Sequence, residues 1–147
     1  MTFLLDVNVV IALIDPVHNF HDAAHEWLSS IGHAAWATCP VTENGVLRIV
    51  GHPRYRNSPR NLGAIFQAVS DLCALPGHVF WPDDISILDE KWINAGNLLT
   101  SSQVTDSYLL ALAIRNGGRL ATFDRRLVPD AVNGGKAGLH LIGSDRF

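Results

Sequence analysis

Short continuous apolar runs alternate along the chain with stretches whose apolar residues recur at helical spacing. The runs Phe3 to Leu5, Ala35 to Ala37, Val79 to Trp81, Leu120 to Thr122 and Leu139 to Ile142 read as strands. Because these runs are continuous rather than alternating, they predict strands covered on both faces, and hence a central, mainly parallel sheet between helical layers. The fold class expected is therefore α/β, a three-layer α/β/α sandwich.

Between the strands, a short helix is expected from Asp6 or Val7 to Ile14. A second runs from His18 to Ser30, with Ala23, Ala24, Trp27, Leu28 and Ile31 as its apolar stripe and Gly32 as its stop. Pro40 suits the first position of a helix reaching about Val50, and Pro59 opens another that Pro76-Gly77 stops near Leu75. Asp84 or Ser86 is expected to cap a helix through Leu99. The last long helix begins between Ser102 and Asp106 and closes at Gly117-Gly118. The turn-rich segments Gly51 to Ser58 and Asn133 to Gly138 read as mobile loops.

Composition narrows the function classes. The length, 147 residues, suits one domain spanning 1–147, and 48% apolar against 17% charged residues excludes a disordered chain. A net charge of -3 argues against binding nucleic acid by bulk charge alone, without excluding a nuclease. The longest apolar runs, Val9 to Ile14 and Leu109 to Ile114, fall far short of the ~20 residues a membrane helix needs. Asp6 interrupts the first apolar run before a signal core forms, so a cytoplasmic protein is expected. Cys39 and Cys73 have no metal-ligand spacing and read as reduced core residues, as Trp27, Trp36, Trp81 and Trp92 read mainly as core. His18, His21 and His25 share a helix face, but no ligand from another element can be assigned to them. Phosphate-loop, dinucleotide and Gly-x-Ser-x-Gly motifs are absent from the sequence. Nine of the eleven basic residues are Arg, and Arg54, Arg56 and Arg60 fall in one segment, as candidate phosphate contacts or simply as a solvated loop.

The acids carry more information. Asp6 directly follows the first strand, where an ionised carboxylate loses hydration unless a helix end or a cation compensates. Asp124 repeats that position after the strand ending at Thr122, Asp106 opens the last long helix, and Glu43 lies about a turn into its own. Each has an ordinary explanation alone, as a cap, a dipole partner or a solvated residue. Together they lie on the rim where open parallel sheets place ligands. Oxygen-only donors select hard cations, Mg2+ or Mn2+, and such an ion suits phosphodiester hydrolysis.

The segments Leu4-Leu5-Asp6-Val7-Asn8-Val9, Thr42-Glu43-Asn44, Val104 to Ala113 and Ala121-Thr122-Phe123-Asp124 resemble those of PIN-domain ribonucleases of the VapC toxin type, over almost the whole chain. The resemblance implies an α/β/α sandwich that cleaves single-stranded RNA (tRNA, rRNA or mRNA) with Mg2+ or Mn2+. It also implies a homodimer inhibited by an antitoxin protein encoded beside it. Asp6 and Asp106 match the principal metal ligands, Glu43 and Asp124 the acids that complete the pocket or hold a second ion, and Asn8 a residue that orients the site. Thr105 and Ser107 flank Asp106 as further candidates, or as helix caps. Two other readings stay open: a phosphohydrolase with Asp6 as covalent nucleophile, which Asn8 disfavours because that chemistry needs an acid two residues on, and a non-catalytic acidic binding module.

Overall fold

The computed structural model describes residues 1–31 and 35–143. Five strands form one sheet: β1 (Thr2–Leu5), β2 (Ala35–Thr38), β3 (His78–Phe80), β4 (Arg119–Thr122) and β5 (Leu139–Leu141). They run in the order β3-β2-β1-β4-β5 with every pair parallel, as the continuous apolar runs predict. Strand β1 is central and pairs with β4 in the register Leu4 to Leu120 and Leu5 to Ala121. The residues that follow β1 and β4 therefore emerge side by side on one rim.

Successive strand residues face opposite layers. Leu5, Trp36 and Ala121 join the core beneath α1 (Val7–Ile14), α2 (His21–Ser30), α3 (Pro40–Val50) and α4 (Leu62–Cys73). Leu4, Ala37 and Leu120 instead meet α5 (Gln103–Arg115) and the irregular segments around Ile93, Leu127 and Val132. These two cores make the three layers of the expected α/β/α sandwich.

Several element boundaries differ from expectation. The segment after β3 is not a helix from Asp84 or Ser86 to Leu99 but a series of turns, an isolated bridge from Ile93 to Val132 and a single 3-10 turn at Ala95–Asn97. Its own side chains compete for the backbone: Ser86 Oγ accepts from Leu88 N, Asp89 Oδ1 from Lys91 N and Asn94 Oδ1 from Gly96 N. Helix α2 starts at His21 rather than His18, because the ring of His18 accepts from Phe20 N within a turn. Helix α4 starts at Leu62 rather than Pro59, since Arg60 takes a left-handed φ of 57° and Asn61 then caps through Ala64 N. The helix stop expected at Gly32 lies outside the described residues.

The two segments read as loops are tied to the body. Tyr55 and Asn57 hydrogen-bond Asp15 at the end of α1. Gly138 is buried, and a Cβ there would meet Ile114 Cγ1 at 2.6 Å. His21 and His25 contact the carbonyl oxygens of Ala12 and Leu13, and so finish the C-terminal turn of α1. Among the described residues, no helix is long and apolar enough to cross a membrane.

Candidate active site

Strand β1 ends in Asp6, which turns the chain into α1. Its extended backbone and the bond from Val7 N to Oδ1 at 2.7 Å make it the helix N-cap, so the ordinary explanation of this acid holds in part. Its other oxygen, Oδ2, accepts from Thr122 Oγ1 at 2.7 Å across the β1–β4 pair. Asn8 reaches the same place, with Nδ2 donating to Thr122 Oγ1 at 3.1 Å and Oδ1 accepting from Phe123 N at 3.3 Å. Thr122 Oγ1 also accepts from Asp124 N at 3.0 Å, which fixes the turn that presents Asp124. Thr122 thereby joins Asp6, Asn8 and Asp124. Its signal in the sequence is slight, a hydroxyl two residues before an acid.

Asp106 enters from the first turn of α5, beside Asp6 and Asp124. Burial, then Asp6, then Asp124 push its carboxyl up to about 6. Asp6 is only 5% exposed and is likewise raised, by burial first and also by Asp124, against the lowering effect of the Thr122 and Val7 hydrogen bonds. Three carboxyl groups from three elements are thus close enough to oppose one another's ionisation. An arrangement of this kind, built from hard oxygen donors, fits a divalent cation.

Two open cavities flank Asp106. One, of about 530 Å3, is lined by Asp6, Val7, Asn44, Gly45, Arg48, Asp83, Thr105 and Asp106 among others. The second, of about 350 Å3, lies between Asp106, Asp124 and Arg126. Asn8 supports the site from behind through Thr122, and Thr105 lines the larger cavity, whereas Ser107 is completely buried and its hydroxyl has no partner among the described residues.

Glu43 is not brought to these cavities. On α3 the cavity face is formed by Val41, Asn44, Gly45, Arg48 and Ile49, at helical spacing, and Glu43 points off that face to accept from Thr38 Oγ1 at 2.7 Å. Asp83, from the loop after β3, is the acid that joins Asp6 and Asp106 there. Together with burial, which acts first, it raises the neighbouring Tyr108 phenol. Arg54, Arg56 and Arg60 line neither cavity; Arg48 and Arg126 do. Sequence patterning named Asn44 only within the Thr42-Glu43-Asn44 segment and did not single out Asp83 or Arg48, because only the folded loop and the helix face reveal them.

The PIN domain family model matches residues 3–129. Ribonuclease VapC44 of Mycobacterium tuberculosis is 40% identical over 134 residues, which cover 91% of this chain and 94% of the relative. Ribonuclease VapC39 of the same organism is 39% identical, covering 91% and 96%. The chain belongs to the PIN-domain family of VapC ribonucleases. Solved structures agree in fold. VapC20 of M. tuberculosis, described as a sarcin-ricin loop cleaving toxin, matches with a TM-score of 0.59 at 10% identity, over 92% of this chain and 93% of that one. A VapBC2 complex of Rickettsia felis, bound to a DNA fragment from its promoter, gives 0.57 at 12% identity, over 84% and 89%. PIN-domain nucleases generally use a divalent metal, which accords with the donor set around Asp106.

Proposed function

We propose that this VapC ribonuclease is a toxin endoribonuclease that cleaves single-stranded RNA at the Asp6, Asp106 and Asp124 cluster with Mg2+, or alternatively Mn2+. The observation that carries the site assignment is the convergence of these three acids on one rim, where burial first and then the Asp6 and Asp124 charges push Asp106 up to about 6. Oxygen-only donors favour a hard ion over Zn2+. Such an ion, when bound, polarises a phosphoryl oxygen and acidifies water as the nucleophile.

The chain's own residues do the rest. Val7 N and Thr122 Oγ1 hold both oxygens of Asp6 in place, and Asn8 and the Asp124 amide in turn orient Thr122. Arg48 in one cavity and Arg126 in the other flank Asp106, so an RNA strand crossing the site meets a phosphate-binding guanidinium on each side. Thr105 offers its hydroxyl to the same strand. Glu43 has no part in this assignment, because its carboxylate serves Thr38. The phosphohydrolase reading finds no support: Asn8 spends its amide on Thr122 and Phe123, and no acid stands in its place.

A protein antitoxin, a homodimeric state and a cytoplasmic location belong to the same proposal. They rest on family membership and on the VapBC complex among the structural relatives. Incubating the purified chain with total RNA, with Mg2+ or with chelator, and mapping the new ends tests the activity. Asp6→Asn and Asp106→Asn are each expected to abolish cleavage while remaining folded. Near-parental cleavage by both variants would overturn the site.

A further inference from the structure

Away from the acid-lined cavities, Glu43, Cys73 and His78 bring three different ligand atoms together. They come from the first turn of α3, the last residue of α4 and the first residue of β3. Their oxygen, sulfur and ring nitrogen all lie within 4.8 Å of one another, and all three residues are half-buried. Thr38, buried at the end of β2, stands among them. Its hydroxyl donates to Glu43 Oε2 at 2.7 Å, meets His78 Nε2 at 2.8 Å and lies 3.9 Å from Cys73 Sγ.

The hydrogen bonds alone bring Glu43 no charged partner. Thr38 has one proton and gives it to Glu43, so His78 must carry its own proton on Nε2 and donate to Thr38. Glu43 is half-buried, the donor to its carboxylate is the Thr38 hydroxyl, and no ion pair among the described residues involves it. Carboxylates withdrawn from water are ordinarily paired with a cation or coordinate a metal.

We propose that Glu43, Cys73 and His78 form a second cation site, for Zn2+, separate from the hard-ion cluster around Asp106. The mixed oxygen, nitrogen and sulfur set is one that Zn2+ accepts and Mg2+ does not. Cys73 releases its thiol proton to solvent and binds as thiolate, and His78 moves its proton to Nδ1 and binds through Nε2. One oxygen of Glu43 completes three corners, and the Thr38 hydroxyl lies at the fourth. Thiolate and carboxylate then balance the two positive charges of the ion. Bonds of about 2.0–2.3 Å draw the three ligands closer together than they now stand. The ion ties α3 and the end of α4 to the edge strand β3, a structural role that goes beyond RNA cleavage and does not depend on it.

Full-length, chelator-stripped protein titrated with Zn2+ or Co2+ alone tests this, alongside Cys73→Ser, His78→Ala and Asp106→Asn. The parent and Asp106→Asn are expected to retain one Zn2+ each, and the parent's Co2+ complex to show sulfur-to-cobalt charge-transfer absorption. Affinity for Zn2+ falls at least about a hundredfold in Cys73→Ser and His78→Ala. Zn2+ at about a hundred times its dissociation constant raises the melting midpoint of the parent by roughly 5–10 °C, and that of Cys73→Ser hardly at all. A Co2+ spectrum of the parent without the sulfur band overturns the site whether or not a variant folds. So does Zn2+ that is lost with Asp106→Asn and kept by Cys73→Ser.

Discussion

Uncharged itself, Thr122 uses its whole hydrogen-bonding capacity on the acid site, donating once to Asp6 Oδ2 and accepting from Asn8 Nδ2 and Asp124 N. Thr122→Val keeps the shape and removes all three bonds, leaving Asp6 with its cap from Val7 N and a long 3.5 Å bond from Asn8 Nδ2. We expect a loss of about 10–100-fold in Mg2+ affinity, read as the Mg2+ dependence of cleavage, with most of it recovered in Thr122→Ser. Equal Mg2+ dependence in parent and Thr122→Val would remove Thr122 from the site. Arg48 is a different kind of residue, exposed and lining the larger cavity. Arg48→Ala is expected to raise KM with little change in kcat and to lower the salt slope of RNA binding by about one phosphate, whereas Arg54→Ala leaves both near parental. The reverse pattern would return the RNA path to the Arg54 loop. Asp6, Asp106 and Asp124 were legible in the sequence because each occupies a strand end or helix start, which chain order alone reveals. Arg48 and Asp83 were not, since one depends on which face of α3 meets the cavity and the other on a loop without periodicity. Glu43 shows the same limit: it neighbours Asn44 in sequence, yet about 100° around the helix directs it to Thr38 instead.

Helix α1 carries the site at one end and a latch at the other. Its eight residues are fewer than the ~12–15 an isolated helix needs, so its ends and its buried face must hold it. At the far end, Asp15 is 5% exposed and accepts from Tyr55 Oη at 2.5 Å, Asn57 Nδ2 at 3.0 Å and Val17 N at 3.0 Å. This fastens the segment carrying Arg54 and Arg56 roughly 12 Å along α1 from Asp6, which is why those arginines stand off from the cavities. Tyr55→Phe leaves a buried acceptor one donor short, and we expect it to cost about 1–3 kcal/mol in urea unfolding while cleavage by the folded protein persists. Parental stability in Tyr55→Phe would show the latch to be dispensable. At this scale the strands, α1, α3 and α5 were readable from apolar periodicity. The segment from Asp84 to Leu99 was not: Ile85, Ile87 and Trp92 do pack against the core, but side-chain turns at Ser86, Asp89 and Asn94 take the backbone out of a helix.

Across the whole molecule these two acid environments act on stability with opposite signs. Burial alone would raise Asp15, but its three hydrogen bonds prevail and lower it; it therefore contributes stability above the carboxylate's unfolded value, which is lost as pH falls through its folded value. Asp106 moves the other way, from 3.8 unfolded to about 6 folded. The unfolded chain releases that proton first on raising the pH, so the contribution of Asp106 is fully present below 3.8 and is lost as pH rises through about 6. Asp6, also raised, adds in the same direction. In chelator, the melting midpoint should therefore decline between about pH 4.5 and 7, and Asp106→Asn should flatten much of that decline. A divalent cation bound by the ionised carboxylates removes the penalty, because it favours the folded state increasingly as the protons leave. Saturating Mg2+ should thus turn the decline level or upward, with the gap between the two curves opening near pH 6, where Asp106 titrates. Midpoints measured at half-unit pH steps, with chelator and with Mg2+, read this directly. Two superimposed curves, or a decline unchanged by Asp106→Asn, would mean that these carboxylates neither strain the folded rim nor bind Mg2+ there.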